Sequence, residues 1–110
     1  MEVDFTNNRI KKDCSSIEAM RKKFGDRRAE VLNTRLKQLL AATNLEDLRN
    51  APGDWHELSQ NRRGQISASI GHVYRLIIVP SEDPPPTKPD GGLDWSNITA
   101  VTVVETVDYH

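Results

Sequence analysis

The sequence predicts a two-layer α+β domain, with two helices first and an antiparallel-rich sheet after them, the helices covering one face of the sheet. Three observations carry this. Apolar residues recur at helical spacing between Ile17 and Leu48, and the period falls to two from Trp55 onward. A chain of 110 residues with 36% hydrophobic side chains is long enough for one core and too short for two, so residues 1–110 are expected to form a single domain. Helices that precede the strands, rather than alternate with them, select this class.

Met1 to Phe5 alternates, with Val3 and Phe5 on one face and Glu2 and Asp4 on the other, the pattern of a short half-buried strand. Ser15 followed three residues later by Glu18 forms a capping-box pattern, and Ile17, Met20 and Phe24 then share a helical face until Gly25 offers a C-cap. Asp26 can cap the second helix. Its apolar stripe is Ala29, Leu32, Leu36, Leu39 and Leu40, while Arg28, Glu30, Arg35 and Lys37 point elsewhere and Val31 lies off the stripe, a candidate contact for a partner. Asn44, Leu45 and Leu48 suggest one further turn before Pro52 and Gly53 break the pattern. Ile66, Ala68 and Ile70 alternate with Ser67 and Ser69, Gly71-His72 can turn the chain, and Val73 to Val79 continues as a strand. Ile98 to Val107 is the last strand, with Val101, Val103 and Val107 on one face and Val104 on the other. Between these strands, residues 80–94 are Pro-rich and acidic, cannot hold a ladder, and are expected as a mobile or stiffly extended insertion outside the core.

The 15 Lys+Arg and 16 Asp+Glu give a formal net charge of -1, which argues against a strongly basic nucleic-acid binder until the charges are placed. Residues 1–80 carry 14 basic and 10 acidic side chains, or +4; residues 81–110 carry one Lys and 6 acidic side chains, or -5. The globular part is mildly basic. The longest apolar stretch, Leu76 to Pro80, is far short of the ~20 residues of a spanning helix, and the opening residues do not read as a signal peptide, so no membrane association is expected. Cys14 is the only cysteine; it allows neither an internal disulfide nor a thiolate zinc site, which fits a reducing compartment and a cytoplasmic protein.

The sequence has no Gly-rich phosphate loop, no His-Glu-x-x-His motif and no serine nucleophile elbow, and neither a metal nor a cofactor is expected. The polar residues on or beside the predicted strands are His56, Arg62, Arg63, Gln65, Arg75 and the closing Asp108, Tyr109 and His110. Arg75 stands in an otherwise apolar strand, where a charge must be paired, with Asp108 or Glu105, or open onto a groove that binds an anion. His56, between Trp55 and Glu57, reads either as an ordinary polar residue or as a proton-transfer group; His72, in a turn, reads as ordinary. Metal-free RNA cleavage needs a base for the 2′-OH, a proton donor for the 5′-oxygen and cations for the phosphate. Histidine, aspartate and arginine supply these, with Arg62, Arg63 and Arg75 as phosphate clamps and Tyr109 and Trp55 as stacking groups.

Taken together, Arg35-Leu36 with Leu39 and Ala41-Ala42, Leu45-x-x-Leu48, Pro52-Gly53, His56-x-Leu58, Asn61-Arg62-x-Gly64-Gln65-x-Ser67, Arg75-Leu76 and the terminal Val107-Asp108-Tyr109-His110 resemble HigB-type toxins of the RelE/ParE superfamily, from about Phe24 to the last residue. The resemblance implies a RelE-like fold, two helices on a curved sheet. It also implies a type II toxin–antitoxin toxin: a ribosome-dependent endoribonuclease that enters the A site, cuts translated mRNA and so stops growth. Its partner would be a helix-turn-helix antitoxin of the HigA type, with operator DNA reached only through that antitoxin. Its site would comprise His56, Asp108, Tyr109 and His110 for catalysis, with one histidine as base or acid, and Arg62, Arg63 and Arg75 for RNA. The superfamily also includes toxins that poison gyrase without cleaving RNA and inactive relatives, so a non-catalytic gyrase- or antitoxin-binding protein is the alternative.

Overall fold

Five strands form one mixed sheet: β1 (Glu2–Phe5), β2 (His56–Glu57), β3 (Ile66–Ser69), β4 (Tyr74–Pro80) and β5 (Ala100–Asp108), in the order β1-β5-β4-β3-β2. The computed structural model describes residues 1–108. β1 runs parallel to β5, and every other pair is antiparallel. The helix side of the sheet presents Ile66, Ala68, Leu76, Ile78, Val101 and Val103, all fully buried, against Leu32, Leu36 and Leu39 of the long helix.

Among the described residues there are three helices, not two: α1 (Asn8–Asp13), α2 (Ile17–Phe24) and α3 (Asp26–Ala41). α1 has only Ile10 as an apolar residue, so it carries no periodic signal; it is nucleated by its cap, Asn7 Oδ1 accepting from the Ile10 N–H at 2.9 Å. Its presence moves the α2 cap by one residue. Ser16, not Ser15, accepts from the Ala19 N–H at 3.0 Å, while the Ser15 hydroxyl turns back to donate to the Lys12 carbonyl at the end of α1. Gly25, at φ 84°, closes α2 and opens α3, a left-handed conformation that suits glycine, and Asp26 lies inside the first turn without capping it.

The α3 stripe is Ala29, Leu32, Leu36 and Leu39. Leu40, expected on it, is 62% exposed, because it stands about 100° around the helix from Leu39. Val31 is half-buried and packs against the core, so it is not the free contact its position off the stripe suggested. The expected further turn forms at Leu45–Leu48 as a 3-10 turn with both leucines buried.

β5 departs from simple alternation. Ile78 pairs with Val103 and Ile77 with Glu105, so Val104 is an extra residue, a β-bulge. The bulge reverses the faces beyond it. Val107 therefore stands opposite Arg75 on the face away from the helices, not beside Val101 and Val103 as the period-two pattern implied.

The Pro-rich segment is held rather than loose. Thr87 bridges to Leu93, Lys88 and Gly92 close a turn (N–H to carbonyl, 2.7 Å), and Leu93 is buried. Trp95, in the 3-10 turn Trp95–Asn97, is buried with its Nε1 donating to Glu57 Oε1 at 2.8 Å and the Arg49 guanidinium over its ring. The expectation of a segment wholly outside the core fails at Leu93, which the proline content concealed. No helix among the described residues is long and apolar enough to cross a membrane.

Candidate active site

The face of the sheet turned away from the helices is built by the alternate residues of β3, β4 and β5. Cross-strand register sets His56, Ser67, Ile77 and Glu105 in one row over four strands, and Ser69, Arg75 and Val107 in the next. Ser67 and Ile77 are buried, so the row has a closed floor with an imidazole at one end and a carboxylate at the other.

Arg75 leans across from its row. Its Nε donates to Ser67 Oγ at 2.5 Å, its Nη2 to the Asp54 carbonyl at 2.9 Å and its Nη1 to Asp54 Oδ2 at 3.3 Å. These partners answer the pairing question in an unanticipated way: Arg75 is held by Ser67 and Asp54, while Glu105 is engaged by Arg62. The same Nη2 lies 3.4 Å from His56 Nδ1, so His56 and Arg75 are brought together. His56 Nδ1 is 3.0 Å from the Asp54 carbonyl. The carbonyl can only accept and the guanidinium can only donate, so the shorter of the two contacts, to the carbonyl, favours the proton on Nδ1 and the lone pair on Nε2 of the neutral imidazole. The ring is half-exposed and open to a ligand.

The group that both residues share, Asp54, sits at φ 52°, a left-handed conformation rare for a non-glycine residue. It is held there by its neighbours. The Pro52 carbonyl accepts from Gln38 Nε2 (2.9 Å) and Trp55 Nε1 (3.1 Å), and the Gly53 carbonyl accepts from the Ser69 N–H (2.8 Å). Gly53, at φ 125°, leaves no space for a side chain: a Cβ there would meet Arg35 Nε and Trp55 Nε1, each at 2.8 Å. Arg35 completes the support from α3, its Nε donating to the Ser69 carbonyl at 2.7 Å and its Nη1 to Gln38 Oε1 at 3.0 Å. Burial, and secondarily the nearby Arg75 charge, push the Arg35 guanidinium below its usual range. Helical periodicity points Arg35 away from the core and gives no reason to single out Asp54; the one local signal is Pro52-Gly53-Asp54, a turn tripeptide two residues before the histidine.

The two adjacent arginines diverge. Arg62, in the 3-10 turn Gln60–Arg62, reaches over the open face, with Nη1 2.8 Å from Gln65 Oε1 and 3.1 Å from Glu105 Oε2. Arg63 instead lies against Gly91 of the Pro-rich segment and lines a cleft of about 480 Å³ with Gln60, Thr87 and Asp90. Asp108 pairs with Tyr74, and alternation places that pair on the opposite face of the sheet from Arg75 and Val107. Tyr109 and His110 lie outside the described residues.

The described cluster therefore sets an imidazole with its Nδ1 edge against the guanidinium and its Nε2 edge open, a pairing suited to taking a proton next to an anionic centre. It stands on a sheet whose architecture is known. This chain has the fold of YoeB/ParE toxins. A YoeB/ParE toxin from Agrobacterium tumefaciens superposes with a TM-score of 0.60 at 13% identity, covering 100% of both chains. A YoeB-YefM complex from Staphylococcus aureus gives 0.56 at 14% identity, and the YoeB dimer from the same organism 0.55 at 16%; each covers 100% of this chain and 97% of the other. At these identities the likeness is one of fold. No protein-family model and no curated protein sequence matches the chain.

Proposed function

We propose that this chain is a toxin of a type II toxin–antitoxin system, of the HigB type within the RelE/ParE superfamily, that acts as a metal-independent, ribosome-dependent endoribonuclease on translated mRNA in the cytoplasm. The observation that carries the reading is the 3.4 Å approach of Arg75 Nη2 to His56 Nδ1, with His56 Nδ1 and Arg75 both turned to the Asp54 carbonyl. A fold shared with YoeB/ParE toxins supports it. That one neighbour is a YoeB-YefM complex supports a cognate antitoxin as partner, here taken as a helix-turn-helix protein.

In this reading the 2′-hydroxyl of the RNA passes its proton to His56 Nε2 while its oxygen bonds to phosphorus. The bond from phosphorus to the 5′-oxygen breaks, the leaving oxygen takes a proton from the carboxyl-terminal His110, since Asp108 stands on the opposite face of the sheet from Arg75, and the product strand ends in a 2′,3′-cyclic phosphate. Three of the five N–H donors of Arg75 are held by Ser67 and Asp54, and the remaining two face the developing phosphorane charge. Arg62 and Arg63 bind adjoining phosphates, and Tyr109 positions the nucleotide.

Primer extension on message from induced cells tests this. The parent produces new 5′ ends within translated codons, and His56→Gln, which keeps a hydrogen-bonding side chain but no base, lowers their yield by roughly 10²–10⁴. Arg75→Lys, unable to hold Ser67 and Asp54 at once, lowers it with the fold retained by circular dichroism. Growth arrest by the parent with no new 5′ ends, or unchanged ends from a folded His56→Gln protein, overturns the nuclease reading and leaves a non-catalytic binder.

A further inference from the structure

The open face of the sheet contains a second charged cluster, in which Arg62, assigned above to an RNA phosphate, is already held by a carboxylate. Arg62 leaves the β2–β3 connection and reaches β5, spanning β3 and β4, to place Nη1 3.1 Å from Glu105 Oε2. Gln65, just before β3, steadies it at 2.8 Å. Ile77, in the row beneath that span, is fully buried although it faces away from the helices. Glu105 shares the row of His56, at its far end, so the ion pair closes the trough opposite the imidazole. Both partners are partly open to solvent, with side-chain exposures of 31% for Arg62 and 41% for Glu105.

A carboxylate and a phosphate are competing acceptors for the same guanidinium fork. An ion pair whose partners are 31% and 41% exposed contributes little and is readily exchanged, unlike the Arg75 contacts, which hold a side chain that is 15% exposed on buried Ser67. A carboxylate left within the trough would also repel an incoming RNA backbone.

We infer that Glu105 is an internal stand-in for an RNA phosphate: in the free protein it holds Arg62 across the trough, and a backbone phosphate of single-stranded RNA displaces it and takes over the guanidinium. Glu105 is a positioning residue that acts through Arg62 and takes no part in proton transfer. This rests on the reading that RNA lies along this face.

The experiment measures binding apart from cleavage. The full chain is titrated against a fluorescein-labelled, fully 2′-O-methylated mixed-sequence 12-mer, which lacks the nucleophile and cannot be cut, over a series of salt concentrations. Glu105→Gln keeps the acceptor that orients Arg62 and removes the competing charge. It tightens binding roughly two- to fivefold, the scale of one partly exposed charge contact. Arg62→Gln weakens binding and lowers the log–log salt slope by about 0.7, one single-strand phosphate. In the Arg62→Gln background, Glu105→Gln loses most of its effect, because its action runs through that guanidinium. On translated message the Glu105→Gln protein needs less RNA for half-maximal cleavage at an unchanged maximal rate.

Unchanged or weaker binding by Glu105→Gln, an Arg62→Gln protein with the parental salt slope, or no binding by any of the proteins overturns the inference. So does a fall in maximal cleavage rate with unchanged half-saturation, which makes Glu105 a catalytic group. Parent protein that binds the 12-mer in this pattern but yields no new 5′ ends overturns the nuclease reading and leaves this inference standing.

Discussion

Buried titratable groups in this protein separate into those aimed at the open face and those sealed among the helices, and Cys14 belongs to the second kind. It sits at the end of α1 among Met20, Phe5 and Leu36, 8% exposed. Burial first, and the adjacent Asp13 charge second, push its thiol up to about 11 from an ordinary 9.0. The thiolate is the nucleophile, so at pH 8 the native protein reacts with iodoacetamide far more slowly than the urea-unfolded chain, measured by mass shift against time. The sign of the stability effect follows. The folded-state value is raised, so the protonated thiol contributes stability that is fully present below about 9 and is lost as pH rises through about 11. Urea midpoints should fall over that window in the parent, and less in Cys14→Ala. Arg75, by contrast, is a charge made tolerable by directed contacts: one buried hydroxyl and one strained residue fix its fork, and the rest of it meets solvent.

The segment 52–54 is the element that turns a sheet into a site. It touches α3 through Gln38 and Arg35, β3 through Ser69, and β4 through Arg75, so its shape is set from three sides. Gly53→Ala should therefore be costly twice over, by steric overlap with Arg35 and Trp55 and by the φ of 125°. The expected loss is roughly 2–3 kcal/mol in urea unfolding, together with a fall in cleavage beyond what the lowered stability explains, since the Asp54 carbonyl that orients His56 and Arg75 must move. A Gly53→Ala protein with parental midpoint and activity would show the segment to be a passive connection. Sequence patterning exposed the helix stripe from Ala29 to Leu39 and the alternation from Ile66 to Ile70, because both are local consequences of burial on one face. It did not expose the reach of Arg35 and Gln38 from α3 to Pro52 and Ser69, which depends on how helix and loop meet in space. The Val104 bulge was equally hidden: one inserted residue leaves no mark on composition, yet it decides that Glu105 and Val107 join Arg75 on the open face. His56 and Arg75 are legible in the sequence only as two polar residues on or beside predicted strands; their approach across the intervening β3 comes from register.

At the scale of the molecule the charges are partitioned, +4 over residues 1–80 and -5 over residues 81–110, and the fold decides whether that opposes RNA. Glu57 and His56 are consecutive in β2, so their side chains leave opposite faces. Glu57 receives the end of the Pro-rich segment through Trp95 and the Leu93 N–H, which docks that end on the side of the sheet away from His56 and Arg75, while Asp90 and Gly91 lie beside Arg63 at the sheet edge. Two packed layers are separated by about 10 Å, slightly more than the ~8 Å screening length at 0.15 M salt. The arm's Glu82, Asp83 and Asp90 are exposed, and Asp90 is already drawn toward Lys88 at 3.8 Å. Neutralising the three as Gln, Asn and Asn should therefore change cleavage of translated message by less than about twofold near 0.15 M salt and raise the association rate clearly at 0.01 M, where the screening length grows to ~30 Å and the whole field is felt. A large gain at 0.15 M would place the arm's charges within direct reach of bound RNA, and would mean that the arm swings over the open face instead of staying docked on Glu57.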